Sequence, residues 1–161
     1  MSSFRIKPAT EADIAAIAAV GSRAWASNIF SFEPELPGMR SHVERAFQAF
    51  AEASHANVLV AAVDGHVLGW GARDENNDYI SDLWVDPAVQ GQGIGSAILR
   101  TLKRHIADAG YLRARISTHA RNVGAIRLYE REGFRVIEQG LEWSTSLERE
   151  IDKVKMLAEL Q

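Results

Sequence analysis

Between Ile80 and Ser96 the chain reads Ile-Ser-Asp-Leu-Trp-Val-Asp-Pro-Ala-Val-Gln-Gly-Gln-Gly-Ile-Gly-Ser, and no other passage limits the fold as strongly. A strand-like run, Tyr79 to Val85, enters Pro87, then a turn with glycine at 91, 93 and 95, then an amphipathic helix. Ile94, Ala97, Ile98, Leu102 and Ile106 fall on one face of that helix, and Gly110 suits a left-handed C-terminal cap. Glycine tolerates positive φ and lets a ligand reach the backbone. Successive N–H groups can therefore converge at a helix N-terminus, where an anion such as a pyrophosphate is favoured. A tight strand-to-helix turn without any ligand would use glycine in the same way, so the turn by itself leaves both readings open.

Two other phosphate-binding patterns fail on the letters. The dinucleotide fingerprint requires glycine at position 96, where the chain has Ser96, and no acidic residue stands at a second strand end about 20 residues on. The nucleoside-triphosphate loop requires lysine followed by serine or threonine, and this turn has no lysine.

The rest of the chain supplies strands and helices in mixed order. Phe4 to Lys7 reads as a short edge strand, and Thr10 with Asp13 as a cap before the Ile14, Ile17, Val20, Trp25 stripe. Asn28 to Arg40, with Pro34, Pro37 and Gly38, reads as an irregular loop, and Ser41 to Ala53 as a second amphipathic helix. Val58 to Val63, Val67 to Arg73 and Tyr79 to Val85 form an antiparallel meander, the first two joined by Asp64-Gly65, a tight-hairpin signal. After the glycine-turn helix come a strand, Arg113 to Thr118, and a short helix, Asn122 to Arg131, that ends at Gly133. Two further strands, Phe134 to Gly140 and Ile151 to Leu157, close the chain. The expectation is one α/β (α+β mixed-sheet) three-layer domain over residues 1–161, with about seven strands and about four helices.

Composition narrows the function. With 161 residues, 47% of them hydrophobic, the chain can bury a sizeable core. A formal net charge of −3 and a pI near 6.0 provide no global positive field, so nucleic acid is not an expected partner. The absence of cysteine excludes disulfides, thiolate metal sites and a cysteine nucleophile, and no metal is expected. Neither a secretory leader nor a run of roughly 18 apolar residues is legible, so the expectation is a cytoplasmic protein without membrane contact.

Gln90-Gly91-Gln92-Gly93-Ile94-Gly95 resembles the cofactor-binding signature of the GNAT (GCN5-related) N-acetyltransferases: Gln or Arg, two residues, Gly, one residue, Gly or Ala. A second block, Asn122, Ala125, Leu128-Tyr129-Glu130 and Gly133-Phe134, is similar to the family's Asn-x-x-Ala-x-x-x-Tyr-x-x-x-Gly-Phe pattern. With the order of elements, the resemblance spans nearly the whole chain and is weakest over residues 1–57. It implies an acetyl-CoA-dependent transferase acting on a primary amine, with acetyl-CoA as donor co-substrate.

The resemblance assigns the pyrophosphate to backbone N–H groups of roughly Gln92 to Ser96, within a cofactor-binding set of Gln90, Gly91, Gln92, Gly93, Ile94, Gly95 and Ser96. It gives the main chain of Leu83, Trp84 and Val85 to the pantetheine arm and thioester carbonyl, beside a sheet that splays open. By residue type alone those three are also plain core. Asn122 and Ala125 complete the set. Asn122 is equally a natural helix N-cap. Tyr129 takes the place of the phenol that donates a proton to the departing thiolate, making it the catalytic candidate. A tyrosine packed in the core is the alternative.

The general base is not assigned. Relatives often carry Glu or His at positions matching Tyr79 or Ser81, or Glu at the position matching Ser117, and none of these is a base here. Strand alternation sets Asp82 on the opposite face from Tyr79 and Ser81. His119, Glu33, Glu35 and Glu142 read as solvated surface residues. The resemblance brings the acceptor amine between Trp25 to Met39 and Leu141 to Arg149, where Phe30, Phe32, Glu33, Glu35, Glu142 and Trp143 could receive a cation. Two rival readings stand beside the enzyme: a non-catalytic acyl-CoA-binding regulatory domain of the same fold, and an interaction module without a cofactor. The open last strand is a candidate for joining two subunits in a homodimer.

Overall fold

A computed structural model of the chain describes residues 3–74 and 77–161. Met1 and Ser2, within the expected domain, lie outside the described residues, as do two residues of the loop before the third meander strand. The elements run β1 (Arg5–Pro8), α1 (Ile14–Ile29), α2 (Met39–Ser54), β2 (Val58–Val63), β3 (His66–Arg73), β4 (Tyr79–Val85), α3 (Ile94–Asp108), β5 (Arg113–His119), α4 (Val123–Arg131), β6 (Arg135–Ser144) and β7 (Arg149–Glu159). One seven-stranded sheet takes the order β1-β2-β3-β4-β5-β7-β6. Every neighbouring pair is antiparallel except β4 with β5. This is the mixed α/β architecture expected.

The two sheet faces carry separate cores. On one, α1 and α2 bury Ile17, Val20, Trp25, Val43 and Phe47 against Val58, Val60 and Trp70. On the other, α3 presses Ile94, Ile98, Leu102 and Ile106 onto the sheet, joined by Tyr129 of α4 and by Phe134. Thr10 begins the first helical turn as expected, its N–H donating to Asp13 at 2.9 Å. Asp64 and Gly65 both take positive φ, 50° and 79°, as a tight hairpin turn between β2 and β3 requires.

Three boundaries differ from the sequence-based expectation. α1 continues to Ile29, so the irregular loop shortens to 30–38, because Ile29 and Trp25 are buried in the same core and hold the last turn helical. β6 does not stop at Gly140 but pairs with β7 as far as Ser144↔Arg149. β7 correspondingly begins at Arg149 and runs to Glu159, and it pairs with β5 on one side and β6 on the other, so the last strand is not open as expected and β6 forms the sheet edge instead. Much of the stretch from Leu141 to Arg149, expected as an acceptor loop, is therefore strand, with the turn confined to 145–148. Glycine weakens a strand without ending it when cross-strand pairing continues on both sides.

β4 and β5 pair only at Tyr79↔Arg115 and Ile80↔Ile116, although β4 runs on to Val85 and β5 to His119. Beyond that point the two strands diverge, and the opening between them positions the site.

Candidate active site

The cleft occupies this opening. It has a volume of about 450 Å³, within the range of small-molecule sites. Its walls are β4 from Ile80 to Val85, the turn and first residues of α3, β5 from Ile116 to Thr118, and α4 with its cap. Leu83, Trp84, Val85, Gln90, Gly91, Gly93, Ile94, Gly95, Ser96, Asn122, Ala125 and Tyr129 all line it. Of the residues expected from the sequence, Gln92 lies outside this lining, exposed on the outer side of the turn.

At one end of the cleft stands the N-terminus of α3. Gly91 and Gly93 have φ of 80° and 82°, a conformation an L side chain enters only with strain, and no atom lies within 4 Å of where their Cβ atoms would be. Gly93 is the helix cap and supplies no side-chain acceptor to the first N–H groups. Those donors and the positive end of the helix are therefore presented to the cleft. Gly95 differs: an added Cβ would stand 3.2 Å from the terminal methyl of Leu128 of α4, a tight contact that a small shift of that side chain would relieve. Gln90 closes the loop by donating to the carbonyl of Val85 at 3.2 Å. Asp86 caps Ala88 and pairs with Arg23 of α1 at 2.6 Å.

At the other end the sheet is irregular. β3 and β4 match Ala72 with Asp82 but Arg73 with Ile80, so Ser81 is an extra residue, a bulge. An extra residue reverses the alternation from that point onward. Ile80 faces α3 before the bulge and Leu83 after it, both in the core on that side. Asp82 and Trp84 consequently share the opposite face with Tyr79. The expectation that Asp82 lies on the far side of the strand from Tyr79 is thus corrected, because it assumed an unbroken period of two.

Asp82 is held by two donors, Trp84 Nε1 and Ser81 Oγ, each at 3.0 Å. Burial, working against those two hydrogen bonds, pushes its carboxyl up to about 6. Tyr79 shares a 2.6 Å hydrogen bond with Ser117 across the mouth of the splay. Tyr129 lines the cleft from α4, and burial raises its phenol well above the usual tyrosine range, helped by the charges of Tyr79 and Asp82. Asn122 both caps α4, accepting from Ala125 N at 3.3 Å, and bridges the walls, accepting from Asn28 and donating to Thr118 at 3.1 Å each. The cap and the cleft contact coexist in one side chain.

His119 and Glu33 are not solvated, contrary to the expectation. His119 is 7% exposed. Its Nδ1 accepts from Arg121 N at 3.1 Å, which leaves Nε2 to donate to Glu33 at 3.0 Å, and Arg149 binds the other carboxylate oxygen of Glu33. The Phe32 ring packs on the imidazole. This network ties the loop 30–38 to the ends of β5 and β7. The three residues are too far apart in sequence for spacing to reveal it. Glu35 pairs with Arg40, and Glu142 with Lys155, both at the surface as expected.

A family model for the acetyltransferase (GNAT) family matches residues 24–134. The chain belongs to the GNAT acetyltransferase family. An uncharacterized N-acetyltransferase of Methanocaldococcus jannaschii is 41% identical over 83 residues, 47% of this chain and 51% of that protein. The chain thus spans about half the length of this relative. An aminoglycoside N(6')-acetyltransferase type 1 of Stenotrophomonas maltophilia is 26% identical over 154 residues, 89% of this chain and 94% of that protein. Among solved structures, yncA from Salmonella typhimurium with its cofactor acetyl-CoA superposes with a TM-score of 0.75. It is 24% identical, with 99% of this chain and 95% of that chain covered, and shows the shared fold.

Proposed function

We propose that this GNAT protein transfers the acetyl group of acetyl-CoA to a primary amine, of a small molecule or a peptide N-terminus, by direct attack. The observation that carries the reading is the cleft itself: a glycine-built helix N-terminus at one end, and a carboxyl and a phenol at the other. The residues present suit acetyl-CoA. The amides of the turn Gly91 to Ser96 would hold the pyrophosphate. The β5-facing backbone of Leu83, Trp84 and Val85 would hold the pantetheine arm, with Asn122 and Ala125 on the opposite wall. Acetyl-CoA supplies an activated acyl carbon and a thiolate leaving group.

The chain's own groups divide the proton work. In the reaction the amine nitrogen bonds to the acetyl carbon, the carbon–sulfur bond breaks, and the proton released by the amine needs an acceptor. Asp82 is the acceptor in this reading: its carboxyl, at about 6, is mostly ionised at neutral pH yet basic enough to take a proton. The backbone N–H near Val85 stabilises the developing oxyanion. Tyr129 retains its proton far above neutral pH and donates a hydrogen bond to the leaving thiolate. Because the phenol holds its proton more tightly than an ordinary thiol, with a pKa of about 8.5, hydrogen bonding contributes more than complete proton transfer.

The rival reading, a regulatory acyl-CoA-binding domain, drew its support from the want of a base in the strand, and Asp82 in the cleft removes that support. No helix among the described residues is long and apolar enough to cross a membrane. A cytoplasmic enzyme of one domain, active as a homodimer, completes the reading. The test is release of CoA thiol from acetyl-CoA across a panel of amines, amino acids and short peptides, alongside thermal melting with and without acetyl-CoA. Amine-dependent release with a raised melting midpoint is expected. An unmoved midpoint at saturating acetyl-CoA would overturn it.

A further inference from the structure

Three arginines lie over aromatic rings on the α1–α2 side of the sheet. The guanidinium carbon stands 4.8 Å from the ring centre for Arg40 over Phe30, 5.3 Å for Arg115 over Tyr79, and 5.7 Å for Arg121 over Phe32. A stacked guanidinium uses its face and keeps its planar N–H edge for an oxyanion. In two of the three the chain fills that edge with its own carboxylate. Glu35 accepts from Nε and Nη2 of Arg40 at 2.6 Å and 3.1 Å, and Asp78 accepts from Nε of Arg115 at 2.8 Å. Arg121 differs: it is exposed and makes no ion pair among the described residues. Its place is nonetheless fixed. Its backbone N–H donates to His119, Phe32 beneath it packs on the same imidazole, and the next residue, Asn122, lines the cleft and bonds Asn28 of α1. The free edge therefore stands at the rim of the cleft, where the loop 30–38 meets the cap of α4.

The groups that a cationic acceptor would need are already engaged. The Phe30 and Phe32 rings carry guanidinium groups, Glu35 holds Arg40, Glu33 holds His119 and Arg149, and Glu142 holds Lys155. Trp143 faces away. Its neighbour Glu142 pairs with Ile151, which packs into the core of α1 and α2, so alternation turns the indole to the other side of the sheet. We infer that the acceptor amine carries a carboxylate and that Arg121 receives it, a substrate class that rests on the acetyl transfer proposed above. A second cation favours the same class. Lys153, half-buried and paired in register with His119, makes no ion pair among the described residues, and its neighbour across the strands is Gly140, which has no side chain. With the reacting nitrogen at Asp82, a carboxylate on the same small molecule is repelled there and attracted to Arg121, which orients the acceptor. A polycationic amine would instead bring its further ammonium groups toward Arg121 and Lys153, and juxtaposed like charges disfavour it. Arg121 thus selects among acceptors, and its fork matches a carboxylate as Arg40 matches Glu35.

Matched acceptors test the charge directly. CoA thiol release from acetyl-CoA is measured with glycine, leucine and phenylalanine, each beside its own amide, with the C-amidated dipeptides Ala-Asp and Ala-Asn, and with spermidine. Rates are compared per neutral amine. The carboxylate member is expected to exceed its uncharged partner by about tenfold or more in kcat/KM, with spermidine the poorest acceptor. Whether the amino acids or the dipeptides show the larger ratio tells a free amino acid from an acidic peptide. Arg121→Gln is expected to lower the ratio by about tenfold or more, through KM, and Arg121→Lys, which keeps the charge without the fork, to fall between the two. A role confined to packing on Phe32 would weaken both members of a pair together. An unmoved ratio in Arg121→Gln, or a parent that prefers amides or spermidine, would overturn the inference. Calorimetric titration of the same acceptors into the CoA-bound protein separates it from the reading on which it rests. Carboxylate-selective binding that is lost in Arg121→Gln, without thiol release from any acceptor, would retain the anion site and remove the transfer. Release without carboxylate selectivity would do the reverse.

Discussion

Trp84 Nε1 donates a 3.0 Å hydrogen bond to the carboxylate of Asp82, two positions back on the same face of β4. The indole itself packs edge-on against Phe47 of α2, so the carboxylate is oriented by a side chain anchored in the core. Its environment is dry enough to raise the acid and polar enough to keep it usable.

That environment predicts a pH-dependent stability. The folded-state value of Asp82, about 6, lies above the unfolded reference of 3.8, so the protonated form is favoured by folding. The associated stability is fully present below about pH 4 and is lost as pH rises through about 6. Asp82→Asn keeps an acceptor for Trp84 and never ionises. It is expected to be more stable than the parent by about 1–3 kcal/mol at pH 8, with the gain shrinking toward pH 4. Denaturant melts at the two pH values check this, and an equal difference at both would refute the burial argument.

The same group predicts the pH–rate profile. If Asp82 accepts the amine proton, kcat/KM falls on the acid side with an inflection near 6. Asp82→Asn is expected to lose that inflection and to drop about 10²-fold or more at pH 7.5, leaving only the rise set by the amine's own ionisation. Steady-state profiles of parent and variant decide it. A variant that keeps the inflection assigns the proton acceptor elsewhere.

Tyr129→Phe removes the phenol oxygen and leaves the ring that packs with Phe134. Turnover is expected to fall about 10- to 100-fold, with acetyl-CoA affinity within about twofold of the parent, because a donor to a developing thiolate acts on the transition state alone. Titration of acetyl-CoA with single-turnover rates separates the two. Equal losses in binding and rate would mark Tyr129 as packing only.

Gly93→Ala tests the anion end of the cleft. Position 93 is at φ 82°, where an alanine costs about 1–2 kcal/mol, and no neighbouring atom obstructs its methyl group. The variant is expected to fold, to melt a few degrees lower, and to bind acetyl-CoA at least tenfold more weakly as the turn's amides move off their common focus. Thermal shifts across an acetyl-CoA titration give both quantities, and an unaltered affinity would remove the turn from the site.

Most of the framework was legible in the sequence because it rests on local chemistry. The strand–proline–glycine–helix passage, the Asp64-Gly65 hairpin, the apolar stripe of α3 and the Asn122 to Gly133 helix each declare themselves through spacing and turn residues within about a dozen positions. The cleft wall formed by β4 and the glycine turn followed from the same passages, since the turn and the strand leading into it are contiguous. The pairing of residues across the sheet decided the rest. Whether Asp82 faces Tyr79 depends on one extra residue opposite Ala72 and Arg73, and a bulge has no signature in the bulged strand alone. The length of β6 came from its pairing with β7, and the buried network of His119 from Glu33, which lies 86 positions from His119 and 116 from its other partner, Arg149. Local conformation is written in neighbouring residues, whereas register, burial and the electrostatics that follow from them exist only once distant segments share one sheet.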